Sequence, residues 1–169
     1  IRDTSVTGVQ TCALPILILG KKGWSEGKQM GSTARKLATL SPVQSLILKH
    51  GVQPGTPVLV IYDGSPECVK AIKAAGRICA PGSTLTILVP AEDQEAAQDI
   101  HAGLSAWIEE HDFAVKFRWM NDLEGKRISN LALIAGCEIV ILPVQSKHFQ
   151  PEAIISLVEN ADCAVLLVR

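Results

Sequence analysis

The sequence predicts an α/β fold. A doubly wound, mostly parallel, five-stranded sheet covers residues 58–169, and a partial copy of the same design (strand–loop–helix–strand) precedes it. Three observations predict this. Short, nearly all-apolar, β-branched runs, such as VLVIY from Val58 and CAVLLV from Cys163, fit strands buried on both faces. They alternate with segments whose apolar residues recur at helical spacing. Two stretches far apart in the chain also repeat each other.

The elements follow in order. After VLVIY comes DGSPE, where Asp63-Gly64 signals a turn, Ser65 suits an N-cap and Pro66 suits the first helical position. Val69, Ile72, Gly76 and Cys79 then recur at helical spacing, PGS (81–83) ends that helix, and TLTILV (84–89) is the next strand. A single helix is expected over 92–110, burying Ala96, Ile100, Leu104, Trp107 and Ile108. In FAVKFRWM, Phe113, Val115, Phe117 and Trp119 alternate with polar positions such as Lys116 and Arg118, which places this strand at a sheet edge. A helix over 124–135, the strand EIVILP (138–143), a helix over 151–160 and CAVLLV (163–168) complete the unit. Such alternation requires right-handed crossovers and a parallel sheet.

Before Val58 the pattern is shorter. LILG (17–20) reads as a strand, a Gly-rich loop runs to Gly31, a helix covers 32–40, and SLILK (45–49) is a strand. HGVQPGTP (50–57) is a linker by its Gly and Pro content. LATLSPVQSLILK and LVENADCAVLLVR align without a gap at an offset of 120 residues (Lys49 to Arg169), and LILG matches VILP at an offset of 123 (Gly20 to Pro143). Residues 17–49 are therefore expected to be the C-terminal remnant of a first domain, and 58–169 a complete second one.

Residues 1–16 show no periodicity. Translated backwards, Val6 to Ile16 fits an oligonucleotide that resembles a common sequencing adapter, and Ile1-Arg2-Asp3 fits its flanking part. This stretch is expected to be an adapter artefact, the rival reading being a natural N-terminal arm. Cys12 carries no functional weight on the first reading.

Composition excludes several classes. A net charge of -1 gives no electrostatic footprint for nucleic acid or an anionic membrane. No apolar run approaches the ~18 residues that span a bilayer. The five cysteines form no CxxC, and four lie among apolar neighbours, as expected of reduced, buried thiols in a cytosolic protein. His101, His111 and His148 lack metal-ligand spacing and are expected at surfaces or helix ends. Trp107 and Trp119 are expected in a core or interface. Cys68 lies in a first helical turn, where a thiolate would be stabilised, so a redox role is weighed against an inert one. No Ser-His-Asp set or carboxylate pair can be assembled.

In open parallel sheets, ligands sit beyond the carboxyl ends of strands. Two places qualify. Gly20 to Thr33, GKKGWSEGKQMGST, leaves a strand and enters a helix. Backbone N–H groups of Gly31, Ser32 and Thr33 would meet a phosphate there, with Lys21, Lys22 and Lys28 adding charge. A flexible loop with an ordinary Ser N-cap is the alternative. The second place is Asp63, which can accept hydrogen bonds from ribose or adenine, or simply form a turn.

From Leu17 onward the chain resembles the universal stress protein family in its tandem two-domain form. VLVIYDGSPECVKAIKAA resembles the family's first strand and helix, and LILGKKGWSEGKQMGSTARKLA its nucleotide loop, usually G-x2-G-x9-G-[ST]. Gly20, Gly23, Gly31 and Ser32 fit that motif, but only seven residues separate Gly23 from Gly31. The resemblance implies a strand order 3-2-1-4-5, a cytoplasmic role in stress survival, dimer-like packing of two domains, and in some members ATP or AMP as ligand. Here the halves of such a site are split. The complete domain has Asp63 but follows its fourth strand with PVQSKHFQP, which lacks glycine, and prolines bound it. The shorter unit has the glycine loop without the strand that would carry a matching Asp. The sequence therefore predicts a nucleotide-responsive, non-enzymatic stress module with weak or absent ATP binding, which pairs its two domains or self-associates. The alternatives are a ligand-free pairing module and, against the evidence of DGSPE, an adenine-nucleotide hydrolase.

Overall fold

The computed structural model describes residues 16–21, 30–49, 55–111 and 114–169. In chain order, β1 (Ile16–Gly20), α1 (Ser32–Leu40) and β2 (Gln44–Leu48) precede β3 (Val58–Ile61), α2 (Pro66–Ile78), β4 (Thr84–Pro90), α3 (Gln94–Ala102), α4 (Ser105–Glu109), β5 (Ala114–Met120), α5 (Gly125–Ile134), β6 (Ile139–Pro143), α6 (Pro151–Asn160) and β7 (Ala164–Val168). All seven strands share one sheet, ordered β1-β2-β7-β6-β3-β4-β5. β3 to β7 are mutually parallel, and counted within their own unit they run 3-2-1-4-5. The partial copy does not stand apart: β1 pairs parallel with β2, and β2 pairs antiparallel with β7.

Burial explains the elements. Every residue of β3, β6 and β7 is buried, because helices cover both faces of the sheet there. α1, α5 and α6 pack one face, through Ala34, Ala38, Ile128, Ala132, Leu157 and Val158. α2, α3 and α4 pack the other, through Cys68, Ala71, Ile72, Ala75, Ala97 and Trp107. β5 at the edge alternates between exposed and half-buried positions as far as Arg118. α5 and α6 approach closely at Gly125, where an added Cβ would sit 2.4 Å from the Leu157 nitrogen.

Three expectations are corrected. The helix expected over 92–110 is two helices, broken at Gly103 and Leu104, with Asp93 capping the first by accepting the Ala96 N–H at 2.9 Å. Leu104, at the break, is buried as expected. The buried face of α2 is Cys68, Ala71, Ile72 and Ala75, one residue away from Val69 and Gly76. For Trp119, expected in a core or an interface, the core alternative is excluded: it is 45% exposed on β5, the edge strand among the described residues.

The repeat seen in the sequence is a structural one. At an offset of 120, Gln44–Leu48 maps onto Ala164–Val168, and at 123, Ile16–Gly20 maps onto Ile139–Pro143. The helix ends also correspond: the Ser41 N–H donates to the Leu37 carbonyl, and the Ala161 N–H to the Leu157 carbonyl. The antiparallel register pairs Ser45 with Leu167, Leu46 with Leu166 and Ile47 with Val165. Leu46 and Leu166 are repeat mates that face each other, so a local two-fold axis runs through this pair. Cross-contacts reinforce it. Arg35 pairs with Glu159, Lys49 pairs with Asp162, and Arg169 donates to the Ala38 carbonyl at 2.8 Å.

Candidate functional site

Asp63 stands at the carboxyl end of β3, next to the position where strand order reverses between β3 and β6. The following Gly64 adopts φ +81°, a conformation a side chain disfavours, and this closes the turn. Asp63 Oδ1 accepts the Ser65 N–H at 2.8 Å, an Asx turn that sets up α2. Its Oδ2 accepts the Ser146 hydroxyl at 2.8 Å, and His148 Nε2 lies 3.6 Å from the same oxygen. The Ser146 hydroxyl oxygen in turn accepts the His148 N–H at 3.3 Å. The Asp63 side chain is only 2% exposed. Burial by itself would raise its pKa, but hydrogen bonds from Cys68, Ser65 and Ser146 outweigh that and hold the carboxyl at about 2.

The loop between β6 and α6 supplies Ser146 and His148, and it is internally bonded. The Val144 N–H donates to the Val168 carbonyl, Ser146 N–H to the Pro143 carbonyl, and Phe149 N–H to the Ser146 carbonyl. Phe149 is buried. Pro151 opens α6 without an N–H, and Glu152 places a negative charge in its first turn. This is the reverse of a phosphate cradle, which needs free amides and no local negative charge. A cavity of about 500 Å³ lies over Asp63, lined also by Glu92, Ile100, Asn121, Lys147 and His148.

The second candidate region lies elsewhere. Gly20 ends β1, Gly31 is the N-cap of α1, and Ser32 and Thr33 are its exposed first residues. Gly23, Lys22 and Lys28 lie outside the described residues. The Gly31 N–H donates to the Lys21 carbonyl at 3.2 Å, so it does not point outward as expected, and the N-cap is Gly31 rather than a serine. Lys21 is also corrected. Its ammonium is buried and donates to the carbonyls of Glu159 (2.7 Å) and Ala161 (3.0 Å), at the C-terminus of α6. Desolvation, then the neighbouring Lys49, lowers its pKa. Lys21 satisfies helix-end carbonyls instead of facing a phosphate.

The structure does not bring Asp63 and the Gly20–Thr33 region together. β2 runs antiparallel to β7, so the carboxyl end of β1 meets the amino ends of β3, β6 and β7. β1 is also four strands from β3, about 19 Å across the sheet at ordinary strand spacing.

Other candidates resolve differently. Burial first, then the hydrogen bond to Asp63, pushes the Cys68 thiol up to about 12, which removes the helix-terminus thiolate. His101 packs against Phe117 in a tilted arrangement with centroids 3.7 Å apart, and His111 Nδ1 contacts the Trp107 carbonyl at 2.8 Å. His148 was expected only at a surface or helix end, and Ser146 was not singled out. The signal for both was positional: they occupy the loop after β6, next to β3. Among the described residues no group of His, Cys, Asp or Glu is arranged to hold a metal ion, and no helix is long and apolar enough to cross a membrane.

No protein-family model matches the sequence, and no curated protein matches it. Solved structures do. A universal stress protein from Archaeoglobus fulgidus superposes with a TM-score of 0.69 at 19% identity, covering 91% of this chain and 60% of its own. The fold is that of the universal stress proteins. The chain thus spans about three-fifths of the length of that relative. The hypothetical protein MJ0577 gives a TM-score of 0.56 at 15% identity, covering 69% of this chain and 96% of its own. A universal stress protein in complex with cAMP gives 0.51 at 18% identity, covering 69% and 98%.

Proposed function

We propose that the chain is a non-enzymatic, cytoplasmic universal-stress-type module of the tandem kind, in which 17–49 end a first domain and 58–169 form a second. Its nucleotide contact is weak or absent. One observation carries the reading: the Asp63 carboxylate is covered and engaged by Ser65, Ser146 and Cys68 of its own chain. A ribose or adenine would have to displace those donors, and no phosphate cradle lies beside it. ATP or AMP, if the parent protein takes either, belongs to the first domain with Gly20, Gly23, Gly31, Ser32 and Thr33. The cAMP complex of a fold relative supports nucleotide responsiveness for the fold, not for this site.

A ligand-free pairing module is the second reading, favoured by the two-fold β2–β7 junction. Calorimetric titration with ATP and AMP tests the first. No heat, or a Kd weaker than about 100 μM, is expected, whereas sub-micromolar affinity overturns it. Binding near that threshold that survives Asp63→Asn would move the contact to the Gly20 loop.

A further inference from the structure

At the β5 end of the sheet an open strand edge, a small cavity and a set of cations lie together. The Ala114 N–H donates to the Ser83 carbonyl, and the Met120 carbonyl accepts the Ala91 N–H, so the even-numbered residues of β5 bond toward β4. By the two-residue period, the N–H and C=O groups of Val115, Phe117 and Trp119 point to the outer edge. Among the described residues no strand meets them.

The cavity has a volume of about 140 Å³ and lies between β5 and α3, walled by Val89, Ala97, His101, Phe117 and Trp119. Such a volume takes one benzene-sized side chain. It is separate from the cavity over Asp63: α3 lines that one with Ala96 and Ile100, and this one with Ala97 and His101. Val115 and Phe117 pack on the α3 side of the sheet, and Trp119 shares their parity. The residues that offer edge amides are therefore the ones on the cavity side.

Charge narrows the occupant. Lys116 and Arg118 are exposed, and β5 carries no acid. Arg118 folds along the edge, where its Nη1 donates to the Phe117 carbonyl at 2.8 Å. A cation on an edge acceptor guards against indiscriminate strand pairing. It also disfavours a second copy of β5. Opposite residues of an antiparallel pair share a face, so the two-fold axis of a self-pair passes through a residue position. An axis through Phe117 sets Lys116 against Arg118, and one through Lys116 or Arg118 sets that residue against its own copy. Like charges directly opposite are destabilising.

We infer that the β5 edge docks an extended segment of a partner protein in which two acidic residues flank one apolar residue. Main-chain bonds to Phe117 and Trp119 supply the pairing. The acids take Lys116 and Arg118, which frees the Phe117 carbonyl for the added strand. The apolar side chain, about 5 Å from its cross-strand neighbour Phe117, enters the cavity. The pattern reads the same in either strand direction.

The test is amide exchange of the whole chain with about 1 mM of a synthetic eight-residue peptide that alternates Glu with Leu or Val. Exchange at Val115, Phe117 and Trp119 should slow about tenfold, equivalent to a Kd of about 100 μM, with Val60 unchanged. The same peptide with Lys for each Glu, or with Ser for its central Leu, should protect less than about twofold. Lys116→Glu combined with Arg118→Glu, both exposed changes, should reverse the choice between the Glu and Lys peptides. Equal protection by those two peptides on the unchanged chain, or none by either, overturns the inference. So does a dimer of the chain alone with the three amides protected, because the occupant is then a second copy. The peptide comparison needs no variant, so it decides even where the double variant does not fold.

Discussion

The loop leaving β1 and the loop leaving β6 occupy equivalent places in the two copies, yet they differ in composition and in what their described residues contact. The first, bounded by Gly20 and Gly31, has the glycine content that lets main chain approach an anion. The second is bounded by Pro143 and Pro151 and folds back on the sheet. It seats Phe149 in the core and Ser146 on Asp63. The pairing partners differ too. The loop after β6 lies beside β3 and its Asp63, whereas the loop after β1 contacts α6, through Lys21. Among the described residues, Asp63 and the Gly20 and Gly31 positions therefore do not lie side by side.

The comparison breaks most visibly in the core. Leu157 is fully buried and its repeat mate Leu37 is half-buried. Leu157→Ala should cost about 2–5 kcal/mol and Leu37→Ala about 1–2 kcal/mol, read by urea denaturation. Equal costs would mean that the two copies are packed alike.

The next effect sharpens the contrast at Asp63. Ser146→Ala removes a hydrogen bond to a buried carboxylate and should cost about 1–3 kcal/mol. The pH dependence carries a definite sign. The folded pKa of about 2 lies below the ordinary value of 3.8, so this stability is present above about pH 4 and lost as pH falls toward 2. The shift corresponds to about 2 kcal/mol, seen as a falling Tm over that range that Ser146→Ala flattens. A pH-independent Tm would contradict it.

On the β1 side, Lys21→Met leaves the Glu159 and Ala161 carbonyls without their ammonium donor. A loss of about 1 kcal/mol is expected, with faster amide exchange in the last turn of α6. The smallest effect belongs to Arg35, which pairs with Glu159 while 47% exposed. Arg35→Ala should cost about 0.5 kcal/mol or less, and nothing at about 1 M salt.

Much of the fold was legible because burial imposes composition. VLVIY, VILP and CAVLLV are read as strands because both their faces are covered, and the repeat offsets survive as equivalent elements. The break at Gly103 was not legible, because Ile100, Leu104, Trp107 and Ile108 keep helical spacing across it. The fate of the partial copy was legible only in part. Apolar strands say that they need partners, but not that β2 meets β7 antiparallel. At the candidate site, Asp63 was visible from its place after a strand. Ser146 and His148 were not, because a tertiary contact over 83 residues leaves no local pattern. Lys21 misled for a physical reason: a lysine beside glycines suggests phosphate, and helix-end carbonyls 138 and 140 residues along the chain use the same donor.

Asp63 is held by hydrogen bonds from its own chain. The direct measurement is the ionisation of its side-chain carboxyl, followed by carbon NMR as pH is lowered with the fold intact. A midpoint at about 2 is expected, rising in Ser146→Ala. A midpoint near the ordinary carboxylate value of about 4, unmoved by Ser146→Ala, would mean a free carboxylate and would contradict it.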